Sequence, residues 1–214
     1  MATNRRDFLG LGIGSLIIAA CGSRGSAAPR DALTPTPHTP DDDAPPADTF
    51  SAKTCGDATA DNIEGPFYKP GAPNRATLAT KDDEGERLVI AGSVLSIACE
   101  PIANATLDIW HADTKGGYDN DRWGMRGRMK TDANGRWQLS SIVPGRYMNG
   151  RRYRPAHVHV KLHAPGHRDL TTQLYFAGDP YNDGDDFIVS SLIMKHAKKN
   201  DVRRALFDFV LPPA

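Results

Sequence analysis

Two histidines form the pair of residues in this chain whose type and spacing most clearly suggest chemistry. His157 and His159 stand two residues apart in the run Arg154–Val160, which alternates like a β-strand. Residues i and i+2 of a strand project from the same face, so both imidazoles point the same way. Neutral imidazole is a common ligand of transition metals, and two on one rigid strand could hold a metal ion. The spacing alone leaves open a zinc or copper site, or two solvent-exposed histidines.

Two tyrosines follow turn-forming sequences upstream of this pair. Tyr118 is the last residue of the run Asp108–Tyr118, in which a β-type segment ends at Trp110 and a Gly-rich loop follows. Tyr147 is the last residue of the turn Val143–Tyr147. Glycine and proline at such positions are typical of connections between strands. Tyrosines in loops more often pack their rings or bind water than perform chemistry, so neither tyrosine is distinctive by itself.

Short β-type segments must position these side chains. The candidate strands are Leu88–Ile97, Ala105–Trp110, Arg136–Ser140, Ala156–Leu162, Leu170–Phe176, Phe187–Leu192 and Ala205–Leu211. Apolar residues fall on one side of several strands: Leu107 with Ile109, Trp137 with Leu139, and Phe207 with Phe209. The Asn-Gly pair in Asp132–Gly135 predicts a hairpin turn, and only Ile193–Lys199 has a helical pattern. We therefore expect an all-β domain built as an antiparallel β-sandwich.

Composition separates a folded part from the N-terminal quarter of the chain. Residues 22–54 are rich in proline and contain the acidic run Asp41–Asp43, a composition typical of a disordered tether. Residues 55–214 are long enough to form one domain with its own core. The chain of 214 residues has 26 basic and 26 acidic residues, so its charge predicts no nucleic-acid partner.

The first 21 residues have the pattern of an export signal. Arg5 and Arg6 precede an apolar run, Phe8–Ala20, that is short for a membrane span. The paired arginines resemble a twin-arginine signal, and the run ends at Cys21 in a context that resembles a lipoprotein cleavage site. We expect an exported protein, held at the cell envelope, in the periplasm or at the cell surface, by a lipid on Cys21. An ordinary secretory signal that is simply cleaved is the alternative.

The cysteine content agrees with export. If Cys21 carries a lipid, Cys55 and Cys99 remain as a pair. In an oxidising compartment two remaining cysteines are expected to form a disulfide. Two independent buried thiols are the alternative.

Four motifs in a fixed order carry a resemblance to a known family. The motifs are Glu64-Gly65-Pro66-Phe67-Tyr68, Asp108–Tyr118, Val143–Tyr147 and Arg154–Val160. In this order, and over about Cys55–Leu211, the chain resembles the intradiol ring-cleavage dioxygenases, such as those that act on catechol and protocatechuate. The resemblance covers nearly all of the expected folded domain, and the combination of motifs is far more specific than any one of them.

The resemblance implies a ferric site. In that family two tyrosinates and two histidines hold the Fe(III) ion, which implies Tyr118, Tyr147, His157 and His159 as the metal ligands here. Phenolate oxygens are anionic ligands that suit the hard Fe(III) ion. The resemblance also implies that Tyr147 leaves the metal when substrate binds and accepts a proton from the substrate.

Further residues acquire expected roles in the same way. Arg154 corresponds to the family's arginine beside the histidine pair, which stabilises charge on the aromatic ring, and Gln173 corresponds to its active-site glutamine. A salt bridge on the sheet is the alternative role of Arg154. Tyr153 is a reserve ligand or a wall of the substrate site. Three other histidines are expected to face solvent or to lie beside the site without binding metal: His111, His163 and His167.

The implied activity is that of an oxidoreductase that opens an aromatic diol with O2. Cleavage falls between the two hydroxylated carbons and gives a muconate-type diacid. The expected partners are a small aromatic diol and O2, with membrane contact through the lipid anchor alone, and a homo-oligomer is left open. One alternative is an exported β-sandwich binding or structural module with a degenerate metal site. The other is a zinc-dependent hydrolase built on His157 and His159, which would require a carboxylate or a third histidine nearby.

Overall fold

The computed structural model of the protein describes residues 56–214. The expectations for the export signal, the tether and Cys21 fall on residues outside this range, as does Cys55 of the expected pair with Cys99, and they stay predictions. Across the described residues the regular structure consists of strands and short 3-10 turns, and no helix there is long and apolar enough to cross a membrane.

Twelve strands form the described part of the chain. They are β1 (Arg87–Ser96), β2 (Thr106–His111), β3 (Arg126–Lys130), β4 (Arg136–Ile142), β5 (Tyr147–Asn149), β6 (Arg152–Arg154), β7 (His157–His163), β8 (Leu170–Phe176), β9 (Ile193–Met194), β10 (His196–Lys199), β11 (Val202–Leu206) and β12 (Phe209–Leu211). The 3-10 turns lie at Asn182–Gly184 and Ser190–Leu192.

Two five-stranded sheets share one apolar core. The first sheet has the order β10-β11-β1-β12, with β4 also paired to β1, and the second has the order β3-β2-β7-β8-β9. Leu88 and Ile90 of β1 belong to the same hydrophobic cluster as Val158 and Val160 of β7 and Leu174 of β8. Alternation along each strand sends these side chains inward and their neighbours outward. The expected all-β sandwich is confirmed.

The sheets are mixed, whereas the sequence predicted antiparallel sheets. Most neighbouring strands are antiparallel, but β1 pairs in parallel with β11 and β12, and β8 pairs in parallel with β9. Only strands joined by a tight hairpin are forced to run antiparallel. Each of these three pairs is joined by a long connection, so its direction cannot be inferred from turn sequences.

The expected strand Phe187–Leu192 is not a strand. The Ile188 N–H donates to the Asp185 carbonyl at 3.2 Å, and the segment ends in the 3-10 turn Ser190–Leu192. The apolar residues here pack against the core as a series of turns rather than as a ladder.

The expected helical stretch Ile193–Lys199 is instead extended. Its first part, β9, adds to β8 at the edge of the second sheet, and its last part, β10, adds to β11 at the edge of the first. Each sheet edge offers unpaired backbone groups, and pairing them outweighs the helix preference of Met, Lys and Ala, because propensity differences are small.

The segment Ala205–Leu211 divides between two strands. β11 ends at Leu206 and β12 begins at Phe209, and the Asp208 carboxylate accepts the Ser93 N–H at 2.7 Å between them. Both phenylalanines of this segment still enter the core, as their spacing predicted.

The Asn-Gly turn is present, but it joins the two sheets. The Gly135 N–H donates to the Asp132 carbonyl at 3.1 Å, and Gly135 has a φ of 71°, which glycine adopts without strain. β3 before the turn pairs with β2 in the second sheet, and β4 after it pairs with β1 in the first. The turn therefore connects the layers of the sandwich and is not the tip of a hairpin.

Candidate active site

The outer face of the second sheet carries a row of polar and aromatic side chains. Trp110 of β2, His159 of β7 and Gln173 of β8 lie in register, and His157 lies opposite Tyr175 in the neighbouring row. The intervening valines of β7 point into the core. His157 and His159 therefore share a face as expected, with ring centroids 4.8 Å apart.

The Tyr118 side chain reaches this histidine pair from the loop after β2. Its phenol oxygen lies 3.0 Å from Nε2 of His159 and 3.3 Å from Nε2 of His157. The ring of Phe67 stacks on Tyr118 with centroids 4.2 Å apart and planes 13° apart. Three atoms able to bind a cation thus converge on one point.

Tyr147 is the first residue of the short hairpin formed by β5 and β6. Its ring centroid lies 5.7 Å from those of Tyr118 and His157, so all four expected ligands lie together. Arg154 is the residue opposite Tyr147 across the hairpin. The hairpin thus brings the second tyrosine and the expected arginine to the same place.

The two loops that carry Tyr118 and Tyr147 are in direct backbone contact. The Gly145 N–H donates to the Asp113 carbonyl at 2.7 Å. A Cβ on Gly116 would lie 2.3 Å from the Arg146 carbonyl oxygen, and a Cβ on Gly145 would lie 2.4 Å from the Gly116 nitrogen. Gly116 also has a φ of 85°, so glycine is required there for both space and conformation.

The segment Ile63–Tyr68, which contains the first family motif, lies across the histidine face. The Ile63 carbonyl accepts a hydrogen bond from Nε2 of Gln173 at 2.7 Å. A Cβ on Gly65 would lie 3.3 Å from the ring of His159, so this glycine allows a close approach. Tyr68 packs on Trp110 with centroids 4.9 Å apart. The motif therefore covers the site.

Arg154 is buried and held by three side chains. Its Nε donates to Oδ2 of Asp185 at 2.5 Å, and its Nη2 donates to Oε1 of Gln173 at 2.9 Å and to the Tyr175 hydroxyl at 3.2 Å. The Phe187 ring centroid lies 4.7 Å from its guanidinium carbon. The salt bridge considered for Arg154 exists, but within the site and next to the expected glutamine.

The sequence reasoning missed Tyr175 and Asp185. Tyr175 had a readable signal, because it stands two residues after Gln173 on the same strand and shares its face. No sequence pattern indicated Asp185, because it lies in an irregular segment whose position depends on the tertiary structure.

Arg126 is a further buried arginine that the sequence did not indicate. It donates to the Phe67 carbonyl at 2.7 Å, to the Asp119 carbonyl at 2.9 Å and to the Asn120 side-chain oxygen at 3.1 Å. Phe67 stacks on Tyr118, and Asp119 follows Tyr118 in the chain. Arg126 therefore fixes the surroundings of Tyr118 on two sides.

Tyr153 lies apart from this cluster. It is 46% exposed, and its ring packs against Tyr181 with centroids 5.1 Å apart. Its partner across the hairpin is the exposed Met148, so it lies on the opposite face from Tyr147. The structure does not support Tyr153 as a reserve ligand.

The other histidines differ from one another. His111 is buried on the core side of β2 and lies 2.7 Å from the Ser141 hydroxyl, so of its two expected positions it does not take the one facing solvent. His163 is exposed beside Asp169, at 2.6 Å, and Nδ1 of His167 lies 3.1 Å from the Pro165 carbonyl.

Burial keeps the histidine pair neutral. It lowers the pKa of His157 to about 3, with a further contribution from the charge of Arg154, and it lowers the pKa of His159 well below the usual value. Nδ1 of His157 lies 2.7 Å from the Pro155 carbonyl, which requires the proton on Nδ1. The lone pair on Nε2 of His157 is then directed toward Tyr118 and is available to a metal ion.

The two phenols are protonated in the absence of a cation. Burial, together with the neighbouring Tyr147, raises the pKa of Tyr118 far above its usual value. Burial also raises the pKa of Tyr147, against the opposing effect of Arg154. A metal cation between these oxygens would reverse both shifts, because it stabilises phenolate directly.

The donor set decides which metal the site fits. Two imidazole nitrogens meet two phenol oxygens, and the described residues contain no cluster of three or more His, Cys, Asp or Glu side chains. The zinc hydrolase alternative needs such a cluster, whereas anionic phenolates suit a hard trivalent cation. The arrangement therefore fits a ferric ion. The fold and the donor set together define a class of protein, a β-sandwich with a metal site made of tyrosines and histidines.

Comparison with known proteins narrows this class to one family. Residues 63–213 match the family profile described as "Dioxygenase". The chain is 39% identical over 156 residues to chlorocatechol 1,2-dioxygenase of Rhodococcus opacus, with 61% of each chain covered. It is 37% identical over 155 residues to catechol 1,2-dioxygenase of Acinetobacter baylyi, with 61% of this chain and 50% of that one covered. The chain belongs to the intradiol ring-cleavage dioxygenase family.

Solved structures agree with this assignment. The dioxygenase domain of a dioxygenase and carbohydrate-binding protein fusion from Streptomyces sp. SirexAA-E is 42% identical, with a TM-score of 0.69 over 74% of this chain and 100% of that one. The 3-chlorocatechol 1,2-dioxygenase of Rhodococcus opacus 1CP is 29% identical, with a TM-score of 0.69 over 73% of each chain. By contrast, the match with the curated relatives spans only 61% and 50% of their lengths.

Proposed function

We propose that the protein is an Fe(III)-dependent intradiol dioxygenase. It cleaves a catechol-type ring between the two hydroxylated carbons with O2 and gives a muconate-type diacid. The observation that carries the proposal is the convergence of the Tyr118 oxygen on Nε2 of both His157 and His159, with the Tyr147 ring beside them. Relatives named as catechol and chlorocatechol 1,2-dioxygenases support the substrate class.

Four side chains would hold the iron: Tyr118, Tyr147, His157 and His159. A bound ferric ion would withdraw electron density from a chelated aromatic diolate and so make the ring reactive toward O2. The residues of the chain bind and orient the diol, move its protons and stabilise the developing charge.

Tyr147 is the better placed of the two phenols to accept a proton from the diol. It lies on a three-residue strand of a small hairpin, and the charge of Arg154 favours its phenolate form. Tyr118 is covered by the stacked Phe67 and lies against both histidines. We therefore infer that Tyr147 moves and Tyr118 stays when substrate enters.

Arg154 supplies a fixed positive charge beside the aromatic ring of the bound diol. Gln173, Tyr175 and Asp185 fix its guanidinium, so no reorientation is needed when negative charge develops on the ring. Gln173 in turn bonds the Ile63 carbonyl and thereby ties the covering segment to the sheet.

The test is spectroscopic first and catalytic second. Iron-loaded protein should be red-brown because of charge transfer from tyrosinate to Fe(III), whereas a zinc protein would be colourless. Tyr118→Phe should remove most of the visible band. Tyr147→Phe should keep much of its iron but bind catechols poorly, and Arg154→Ala should keep the colour and lose turnover.

Oxygen uptake with catechol, protocatechuate and hydroxyquinol, with product analysis for muconate-type diacids, identifies the substrate. Iron-loaded, red-brown protein that binds none of these diols would overturn the proposal in favour of the degenerate binding module.

We also propose that the protein is exported and tethered by a lipid on Cys21. Arg5, Arg6 and the apolar run before Cys21 support this location. Cys21→Ser should release folded protein from the membrane fraction into the soluble fraction. Unprocessed wild-type protein in the cytoplasm would contradict the proposal.

A disulfide between Cys55 and Cys99 follows from the same location. It should stabilise the domain by about 2–4 kcal/mol, because it restricts the unfolded chain. Mass spectrometry of non-reduced peptides from envelope-derived protein would detect the linked pair, and two free thiols there would count against it.

A further inference from the structure

One carboxylate, that of Asp179, connects three segments of chain around the site. Asp179 follows β8, and its side chain is only 3% exposed. Its two oxygens accept hydrogen bonds from Nε of Arg146 at 2.9 and 3.1 Å. It also accepts the N–H of Ala156 at 3.2 Å and the N–H of Tyr181 at 3.0 Å.

Two of these partners are the chain neighbours of expected metal ligands. Arg146 directly precedes Tyr147, and Ala156 directly precedes His157. Asp179 therefore fixes the backbone beside a tyrosine of the hairpin relative to the backbone beside a histidine of β7. A charge-assisted hydrogen bond to a buried carboxylate is stronger and more directional than one between neutral groups.

The hairpin that begins with Tyr147 is held through Arg154 and through the contact between Gly145 and Asp113, but it pairs with neither of the large sheets. β5 and β6 have three residues each and pair with each other in a separate two-stranded sheet. Met148 and Tyr153 on its outer face are exposed and add little burial. A two-stranded hairpin is only marginally stable by itself, so its contacts with the rest of the protein, including those at its base, decide where this one rests.

We propose that Asp179 is a positioning residue that acts through Arg146 to set the resting position of Tyr147 relative to His157. The part of this inference that concerns movement of Tyr147 upon substrate binding rests on the proposed function. The part that concerns the resting position does not, because it follows from contacts present without metal or substrate.

Loss of Asp179 should affect the protein differently before and after a diol binds. Before a diol binds, loss of the Asp179 contact should let Tyr147 drift away from Tyr118 and His157. After a diol binds, Tyr147 has already been displaced, so loss of Asp179 should make no difference at the metal. A general loss of structure would instead disturb both states.

The first experiment is hydrogen exchange on metal-free protein. In Asp179→Ala, amides of residues 147–154 should exchange about tenfold faster or more, while those of β1 and β4 keep their native rates. Arg146→Gln should change exchange in the same direction, and the double variant should exchange no faster than Asp179→Ala, because the contact with Arg146 is already lost there. Glu84→Ala, which removes the exposed ion pair with Lys115, is the matched control and should leave the hairpin unchanged.

If Asp179→Ala does not fold, Asp179→Asn and Arg146→Gln carry the same comparison. Native exchange in the hairpin of these variants, or effects that simply add in the double variant, would overturn the proposal.

The second experiment compares visible spectra of iron-loaded protein. The resting band of Asp179→Ala should shift toward that of Tyr147→Phe, while the band of its catechol complex should match that of the native complex. A native resting band, or a shift in both states, would refute the coupling to Tyr147. If native protein binds no catechol, the proposed function fails, and the exchange comparison still decides the resting position.

Discussion

The two halves of the site are held by different kinds of structure. His157, His159 and Gln173 stand on neighbouring central strands, where backbone register fixes each side chain against the next. Tyr118 and Tyr147 stand on a loop and at the base of a small hairpin. The sheet half is rigid because the strands on both sides of β7 are paired along its length.

The loop half depends on contacts between residues far apart in the chain. Asp179 holds Arg146, Asp185 holds Arg154, and Arg126 holds the surroundings of Tyr118. Such contacts can be broken one at a time, whereas strand register cannot. If the proposed function holds, metal retention should depend mainly on the sheet half, and proton transfer and movement on the loop half.

The largest effect should come from the sheet half. His159→Ala should lower iron affinity by more than about 100-fold, since loss of a residue that merely supports a ligand already costs about 10–100-fold. Chelator competition measures the loss, and the exposed His163→Ala is the control. If Tyr118→Phe loses more iron than His159→Ala, metal retention lies in the loop half instead.

A smaller effect should follow from breaking the buried pair in the loop half. Asp185→Ala leaves the Arg154 charge buried and unpaired, so the free energy of unfolding should fall by about 3 kcal/mol. Turnover should fall as well, while the visible band stays, because the proposed role of Arg154 is at the substrate ring and not at the metal. Urea unfolding and oxygen uptake measure the two effects. Asp169→Ala, at an exposed pair, should change stability by less than about 1 kcal/mol.

Acid should destabilise the metal-free protein through histidines buried without charge. The pKa of His111 is lowered to about 4 by burial, against 6.5 for a free side chain. Between these values only the unfolded chain binds the proton, so stability falls as the pH drops below 6.5. The slope is about 1.4 kcal/mol per pH unit for each such histidine. Urea unfolding at pH 7, 6 and 5 gives the dependence of the unfolding free energy on pH. This dependence should be shallower in His111→Asn than in the native protein, and an equal dependence would contradict the role of His111.

The smallest effect should come from the outer face of the hairpin. Tyr153→Phe should leave the visible band, the iron content and turnover unchanged, because Tyr153 packs on Tyr181 and not on the ligand cluster. The same substitution at Tyr147 is the comparison. A changed band in Tyr153→Phe with none in Tyr147→Phe would reassign the second tyrosine.

The sequence predicted the sheet half of the site more fully than the loop half. Alternation is a local property, so the shared face of His157 and His159 and the inward direction of Leu107 and Ile109 could be inferred directly. The same rule, applied to β8, would have found Tyr175. The family motifs brought Tyr118 and Tyr147 into the prediction, although spacing alone did not.

The remaining misses come from long-range structure. Asp179 and Asp185 lie in an irregular segment, and nothing in the local sequence distinguishes these buried carboxylates from the exposed ones near them. The stretch Ile193–Lys199 adopts β-structure because two sheet edges are available to it, which no local preference can predict. The mixed direction of the sheets has the same origin.

The contact between Gly116 and Gly145 bears on how this protein could be re-engineered. Each glycine leaves room for the backbone of the other loop, so a bulkier loop on one side would displace the tyrosine on the other. Segments exchanged with relatives to change substrate preference would therefore have to be transplanted as a matched pair. A chimera that replaces only one loop should express and fold, yet misplace one of the two tyrosines relative to His157 and His159.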